Sequence, residues 1–284
     1  MAFHTRGGVR LFYEETGSGH PLLFLHEFGG DARTWDDQVR YFSRRYRCIV
    51  TAARGYPPSD VPDDEAAYGW ETSLDDIVAL LDHLEIPTAH VVGLSMGAYM
   101  GLMLALRHPD RVSALVAASG GAGGHLPTRE AFVRDTLAAA DRLLTLGEMP
   151  ADEIGNSANR IQLRRKDPHV WQVFRDHLAE HPVTGSAYTF RHVQAARPSL
   201  HDFAEPLTAC SVPTLLMVGD EDDSCLDINL WLKRTMPMAG LEVMAKCGHL
   251  LNLEEPGRFN NLTADFLAAV EQGRWPVRDA QAGA

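Results

Sequence analysis

The stretch Val91-Val92-Gly93-Leu94-Ser95-Met96-Gly97-Ala98 decides the fold. Before it, Ala89-His90-Val91-Val92 is a short apolar run that reads as a buried strand. After it, residues 98–108 are rich in helix formers such as Met100, Leu102, Leu104 and Ala105. A serine between two glycines therefore sits where a strand turns sharply into a helix. Such a turn crowds the backbone against its neighbours, so a Cβ at either glycine would clash. It also lifts the serine hydroxyl over the carboxyl edge of a sheet, at a helix N-terminus, where a nucleophile is useful.

Outward from this turn the chain alternates. Residues 3–6 and 9–15 flank Gly7-Gly8 and read as a hairpin. Pro21-Leu22-Leu23-Phe24-Leu25 is continuously apolar, as a strand covered on both faces must be, and it ends in His26-Glu27-Phe28-Gly29-Gly30. Residues 31–45 read as an amphipathic helix with Trp35, Val39 and Phe42 on one side. Residues 47–51 read as a strand, followed by the loop Arg54-Gly55-Tyr56-Pro57-Pro58-Ser59-Asp60. Leu74, Ile77, Val78, Leu81 and Leu84 recur at three- and four-residue steps and predict a helix over 73–84. Beyond the serine turn, residues 112–118 form another strand. This alternation implies an α/β protein: a mostly parallel, doubly wound sheet with helices on both faces. Sites in such sheets lie beyond the carboxyl ends of the strands.

From Gly120 to about Pro206 the alternation stops. Gly120-Gly121-Ala122-Gly123-Gly124 reads as a hinge, and residues 129–146 and 168–180 as helices. The expected organisation is a core made of residues 1–120 and 207–284, with a helical cap, residues 121–206, inserted in it. Trp171 and Tyr188 are candidate substrate contacts from the cap, as are Phe132, Phe174 and Phe190, although aromatic side chains also serve simply to pack a cap onto a core. The sheet resumes at residues 213–218 and runs into Gly219-Asp220-Glu221-Asp222-Asp223. A helix over 226–236, a last strand over 241–245, Cys247-Gly248-His249, and a helix opened by Pro256 complete the pattern. The tail after Glu271 is expected to fray, with Trp275 as a tether.

Composition narrows the function. A net charge of −12 with no basic run weighs against nucleic acid as a partner. No apolar stretch is long enough to span a membrane, and Met1 to Arg6 lacks the apolar segment of a signal peptide, so a cytoplasmic protein without a membrane partner is expected. Cys48, Cys210, Cys225 and Cys247 show no metal-like spacing and are expected to be thiols. Neither a metal nor a cofactor is expected.

The serine turn, His26-Glu27-Phe28-Gly29-Gly30, Gly219-Asp220-Glu221-Asp222 and Gly248-His249 occur in one order, and together they resemble the α/β-hydrolase fold superfamily over residues of about 20–120 and 210–270. The resemblance implies a serine hydrolase. A serine hydroxyl needs a base within hydrogen-bond reach, and the base needs a third group to fix its tautomer and stabilise its charge. Among thirteen histidines, His249 has the position of the family's base. Asp222, three residues after Gly219, has the place of the family's acid, with Asp220 and Asp223 as fallbacks. The order Ser95, Asp222, His249 is that of this fold. The tetrahedral oxyanion needs preorganised donors. Met96 follows the nucleophile and supplies one backbone N–H, and by resemblance Phe28 supplies the other.

The sequence departs from the family twice: Glu27 replaces the glycine of the usual His-Gly turn, and Ala52 stands where an aspartate often precedes Arg-Gly. We expect the two to be linked, with Glu27 pairing to Arg54. The alternative is that Glu27, beside His26, faces the cavity as a substrate contact or proton carrier. A serine nucleophile argues against haloalkane dehalogenase and epoxide hydrolase chemistry. Leu250 and Leu251 stand where many meta-cleavage C–C hydrolases carry a tryptophan. The resulting expectation is hydrolysis of a small acyl substrate, a carboxylic ester, lactone or thioester, through an acyl-enzyme. C–C hydrolysis or cofactor-free perhydrolysis is the alternative on the same fold. A slow-turnover ligand-binding signalling protein is the alternative of another class.

Overall fold

Gly7 (φ 55°) and Gly8 (φ 80°) turn the chain between β1 (Ala2–Arg6) and β2 (Val9–Thr16). Positive φ at both central residues is what a two-residue hairpin needs to match the right-handed twist of its strands. The computed structural model describes residues 2–279. The hairpin leads into β3 (His20–Leu25), α1 (Asp36–Phe42), β4 (Tyr46–Thr51), α2 (Trp70–His83), β5 (Ala89–Leu94), α3 (Met96–Arg107) and β6 (Val112–Ala118). All eight strands join in one sheet of order β1-β2-β4-β3-β5-β6-β7-β8, where β7 is Thr214–Gly219 and β8 is Ala239–Met244. The β2 strand runs antiparallel to β1 and β4, and every other pairing is parallel. The central strands are buried on both faces, with Leu22, Leu23, Phe24, Val91, Val92, Leu115, Val116, Leu216 and Met217 fully enclosed. That is why they read as continuous apolar runs.

The element boundaries depart from the sequence pattern where short polar side chains intervene. Residues 31–45 do not form one helix. Asp31 and Thr34 make a reciprocal capping box that tightens Ala32–Trp35 into a 3-10 turn, and α1 starts only after it. Conversely, α2 begins at Trp70, ahead of the expected start, and the Ser73 hydroxyl donates back to the Gly69 carbonyl within its first turn.

Between β6 and β7 the chain is helical without a strand: α4 (Arg129–Leu146), α5 (Ala151–Gly155), α6 (Ile161–Lys166), α7 (Pro168–Ala179), α8 (Val183–Tyr188) and α9 (Ala204–Thr208), with a π-helical stretch over Thr189–Ala195. This insertion lies over the carboxyl ends of the strands. Phe190 stacks on Phe28 at 3.8 Å, Gly185 packs against the Gly55 backbone, and His181 meets Asp31 at 3.3 Å. After β7 come α10 (Asp223–Thr235), β8, α11 (Leu251–Glu254) and α12 (Pro256–Glu271). Trp275 does tether the following segment, donating to the Met238 carbonyl at 2.8 Å and meeting Phe266 edge-on. The end of the tail, residues 280–284, lies outside the described residues. Among the described residues no helix is long and apolar enough to cross a membrane.

Candidate active site

The serine turn is as crowded as its glycines imply. A Cβ on Gly97 would overlap the Leu25 carbonyl of β3, and one on Gly93 would overlap the Gly97 carbonyl. Ser95 takes φ 53° and ψ −104°, a conformation that a residue with a Cβ adopts only under constraint. The constraint is visible: its N–H donates to Ala118 of β6 at 2.8 Å, and its carbonyl accepts from Tyr99 at 3.0 Å. Met96 is the first residue of α3, so its N–H has no acceptor within the helix.

Asp222 follows β7 and His249 follows β8. The His249 Nδ1–H donates to Asp222 Oδ2 at 2.7 Å, with both side chains almost wholly buried. Burial opposes ionisation of Asp222. The nearby His249 and the hydrogen bonds from His249, Cys225 and Ser224 outweigh it and hold the carboxyl below its usual range. The fallback acids are elsewhere: Asp220 accepts from the Cys247 N–H at 3.2 Å, and Asp223 opens α10. The Cys225 thiol, whose sulfur stands with Asp222 and His249 in a group of potential metal ligands, donates to the Ser119 carbonyl at 3.2 Å. The direct ring–carboxylate bond holds two of these groups on each other rather than around an ion.

The loop carrying His249 is clamped from two sides. Glu254, buried in α11, accepts the N–H of Gly248 at 2.8 Å and of Leu250 at 3.2 Å. Burial raises the Glu254 carboxyl above its usual range, and those two bonds partly offset the rise. From the insertion, the Asn159 carbonyl accepts the His249 N–H at 2.7 Å.

The expected pairing of Glu27 with Arg54 is not what the structure has. Arg54 instead makes a two-pronged bond to Asp76 of α2, at 3.0 and 2.8 Å. The carboxylate absent at Ala52 is thus replaced from the next helix rather than from across the turn. Glu27 is fully buried, and its Oε2 accepts from Arg160 Nη2 of the insertion at 2.6 Å and lies 3.8 Å from His249 Nε2. Its Oε1 has no hydrogen-bond partner among the described residues. Arg160 and Asn159 sit outside every sequence motif, and no pattern in the chain marks them.

Of three suggested substrate contacts, His26 and Trp171 make structural hydrogen bonds and Tyr188 packs against other rings. His26 Nδ1 is 2.7 Å from its neighbour's carbonyl and Nε2 accepts from the Ala53 N–H at 2.9 Å, so the ring ties the β3 turn to the β4 turn with both nitrogens occupied. Burial lowers its basicity, as a neutral ring in this role requires. Trp171 donates to the Gly155 carbonyl at 2.9 Å under the Arg164 guanidinium, inside the insertion's own core. Tyr188 packs edge-on to Tyr68 and His192.

This strand order with its helical insertion has counterparts among known proteins. The sequence profile of the alpha/beta hydrolase fold family matches residues 20–256. The chain belongs to that family. The α/β-hydrolase relatives include the 2-hydroxy-6-oxononadienedioate/2-hydroxy-6-oxononatrienedioate hydrolase of Burkholderia vietnamiensis (strain G4 / LMG 22486), 29% identical over 278 residues that span 91% of each chain. A solved hydrolase from Pseudomonas aeruginosa PA01 superposes with a TM-score of 0.82 at 26% identity, over 94% of this chain and 98% of that one. Est816, described as an N-acyl homoserine lactone degrading enzyme, superposes with a TM-score of 0.74 at 28% identity, over 93% and 100%.

Proposed function

We propose that this α/β hydrolase cleaves a small carboxylic ester, lactone or thioester through an acyl-enzyme on Ser95, in the cytoplasm and without a cofactor. The observation that carries the reading is the 2.7 Å bond from His249 Nδ1 to Asp222, which leaves Nε2 as the proton-carrying nitrogen. In acylation, Ser95 Oγ bonds to the substrate carbonyl carbon and its proton passes to Nε2. The oxyanion accepts from the backbone N–H groups of Met96 and Phe28. Collapse breaks the bond to the leaving group, which takes the proton from Nε2. Water then attacks the acyl carbon, and the carboxylic acid departs as Oγ regains its proton. The helical insertion acts as a cap that excludes bulk water from these steps.

A second reading is C–C bond hydrolysis, favoured by the likeness to the Burkholderia dioate hydrolase. It is weakened by Leu250 and Leu251 beside the histidine, where many meta-cleavage C–C hydrolases carry a tryptophan. The test is release of p-nitrophenol from short acyl esters, run beside bleaching of a 2-hydroxy-6-oxodienoate. Ester turnover is expected, with losses of roughly 10³-fold or more in Ser95→Ala and His249→Ala and unchanged thermal unfolding. Turnover of the dienoate alone would transfer the assignment to the second reading.

A further inference from the structure

We propose that a second ligand site lies behind the serine turn and takes a small neutral alcohol. About 580 Å³ of empty space, partly open to solvent, lies between β1, β2, α2, α3 and the ends of β3 and β4. That is within the range of roughly 300–1,000 Å³ typical of small-molecule sites. Among the described residues, neither Ser95, Asp222 and His249 nor any part of the insertion lines it, so it is separate from the triad. Its wall is mostly apolar. Leu11, Phe12, Leu80 and Met100 are buried around it, and the half-buried Ser73 and Ile77 of α2 mark its mouth. Met96, the residue after the nucleophile, is also in the wall.

The polar groups in the wall decide what fits. Arg54 and Asp76 are both there, but they are bonded to each other at 3.0 and 2.8 Å, and Arg6 adds a contact to Asp76 at 3.3 Å. Neither charge is left to recruit an ion. Bringing a further charge against a mostly apolar wall is costly when no free counter-charge meets it. His4 is different. It is only 6% exposed, its ring makes no hydrogen bond among the described residues, and burial with His83 nearby keeps it neutral. A neutral imidazole has one donor and one acceptor, and leaving both unused inside a protein is unfavourable. The Ser73 hydroxyl gives its proton to the Gly69 carbonyl, which leaves its oxygen as an acceptor. An alcohol hydroxyl both gives and takes a hydrogen bond, so it answers these groups, and its alkyl body suits the rest of the wall. On the acyl-enzyme reading an ester releases such an alcohol, but the site does not depend on that reading.

The experiment is a titration with n-pentanol, followed by NMR of the full chain isotopically labelled at its methionine methyl groups. Saturable shifts are expected at Met96 and Met100, which line the cavity, with none comparable at Met217 of β7 or Met244 of β8. Ile77→Trp, which fills the mouth, is expected to abolish the shifts. His4→Phe, which keeps a ring and loses both nitrogens, is expected to weaken binding about fivefold, the size of one ordinary hydrogen bond. Pentanoate, an anion of the same length, is expected to bind about tenfold more weakly or worse, because it must shed its hydration without a free cation to meet it. Shifts that never saturate, or that persist in Ile77→Trp, overturn the proposal. So does pentanoate binding as tightly as pentanol, or an unchanged affinity in His4→Phe, and these two decide the matter if Ile77→Trp does not fold. No measurement here uses ester turnover, so failure leaves the acyl-enzyme reading standing.

Discussion

Two buried ion pairs, one joining the loop after β4 to α2 and one joining the insertion to the site, are built to different standards. In the first, Arg54 meets Asp76 through two parallel bonds, and Arg6 adds a third contact to the same carboxylate at 3.3 Å. Fork-to-fork pairing of this kind fixes geometry and leaves little unsatisfied. Between insertion and site, Arg160 meets Glu27 through one bond, and both Glu27 Oε1 and Arg160 Nε are buried without hydrogen-bond partners among the described residues. A partly satisfied polar pair in a low-dielectric site is poor architecture. Burial alone therefore does not mark a functional charge; Glu27 is singled out by its place 3.8 Å from the proton-carrying nitrogen of His249.

Removing one acid from each pair separates their roles. Asp76→Ala strands a buried guanidinium, and breaking such a pair typically loses about 3–5 kcal/mol. The expected result is a fall in Tm of roughly 10 °C, with kcat of the folded fraction near wild type. Burial already raises the Asp76 carboxyl above its usual range despite Arg54, so the pair has little margin. Glu27→Gln is expected to do the reverse, slowing turnover about tenfold, because the carboxylate 3.8 Å from His249 Nε2 attracts the proton the ring takes up. Its Tm should fall less, because the Arg160 side chain keeps 13% of its surface exposed and can be hydrated. Equal Tm losses in the two variants, measured by calorimetry, would show that both pairs are structural.

A smaller effect concerns the loop that carries the base. Glu254→Gln keeps one acceptor for Gly248 or Leu250 and loses the other bond. The expected outcome is a lower kcat with little change in KM, because His249 wanders while the pocket is unaltered. An unchanged kcat would mean that the Asn159 carbonyl alone holds the loop.

How much of this was legible depends on where the constraint originates. The sheet side was readable because single positions are forced by backbone geometry. Gly93 and Gly97 have no room for a Cβ, Gly7 and Gly8 need positive φ, and β3 and β5 are enclosed on both faces. Asp222 was separable from Asp220 only by resemblance, since all three acids share one turn. The insertion was readable as helix but not as contact. Asn159 and Arg160 reach the site by the route of α5 and α6, and no spacing in the chain records that route. Glu27 was conspicuous as a departure, but its partner was misassigned because the nearest arginine by strand order was already taken by Asp76.

The smallest effect separates the sheet from the insertion by pH. In the sheet core, burial and the neighbouring His83 lower the pKa of His4 to about 4, and burial and His20 do the same for His90. An unfolded histidine titrates near 6.5. Between those values the unfolded chain binds more protons than the folded one, so the stability each neutral ring contributes is complete above about 6.5 and declines as pH falls toward 4. The loss is about 1 kcal/mol for each ring over the first unit below 6.5. The insertion's contact at Asp31 behaves otherwise. Burial opposes ionisation there, but hydrogen bonds from His181 and Arg33 prevail and hold the carboxyl well below its usual range. That contribution persists through the window in which the histidines lose theirs, and it goes only as pH falls below the unfolded value of about 3.9. Tm measured from pH 7 to 5 is therefore expected to fall for the wild type and to fall less steeply in His4→Phe, which keeps a ring that cannot charge while His90 keeps its share. Asp31→Asn is expected to lower Tm by a similar amount at both pH values. If His4→Phe kept the full slope, the acid sensitivity would lie outside the hairpin, and loss of the slope in Asp31→Asn would move it to the insertion.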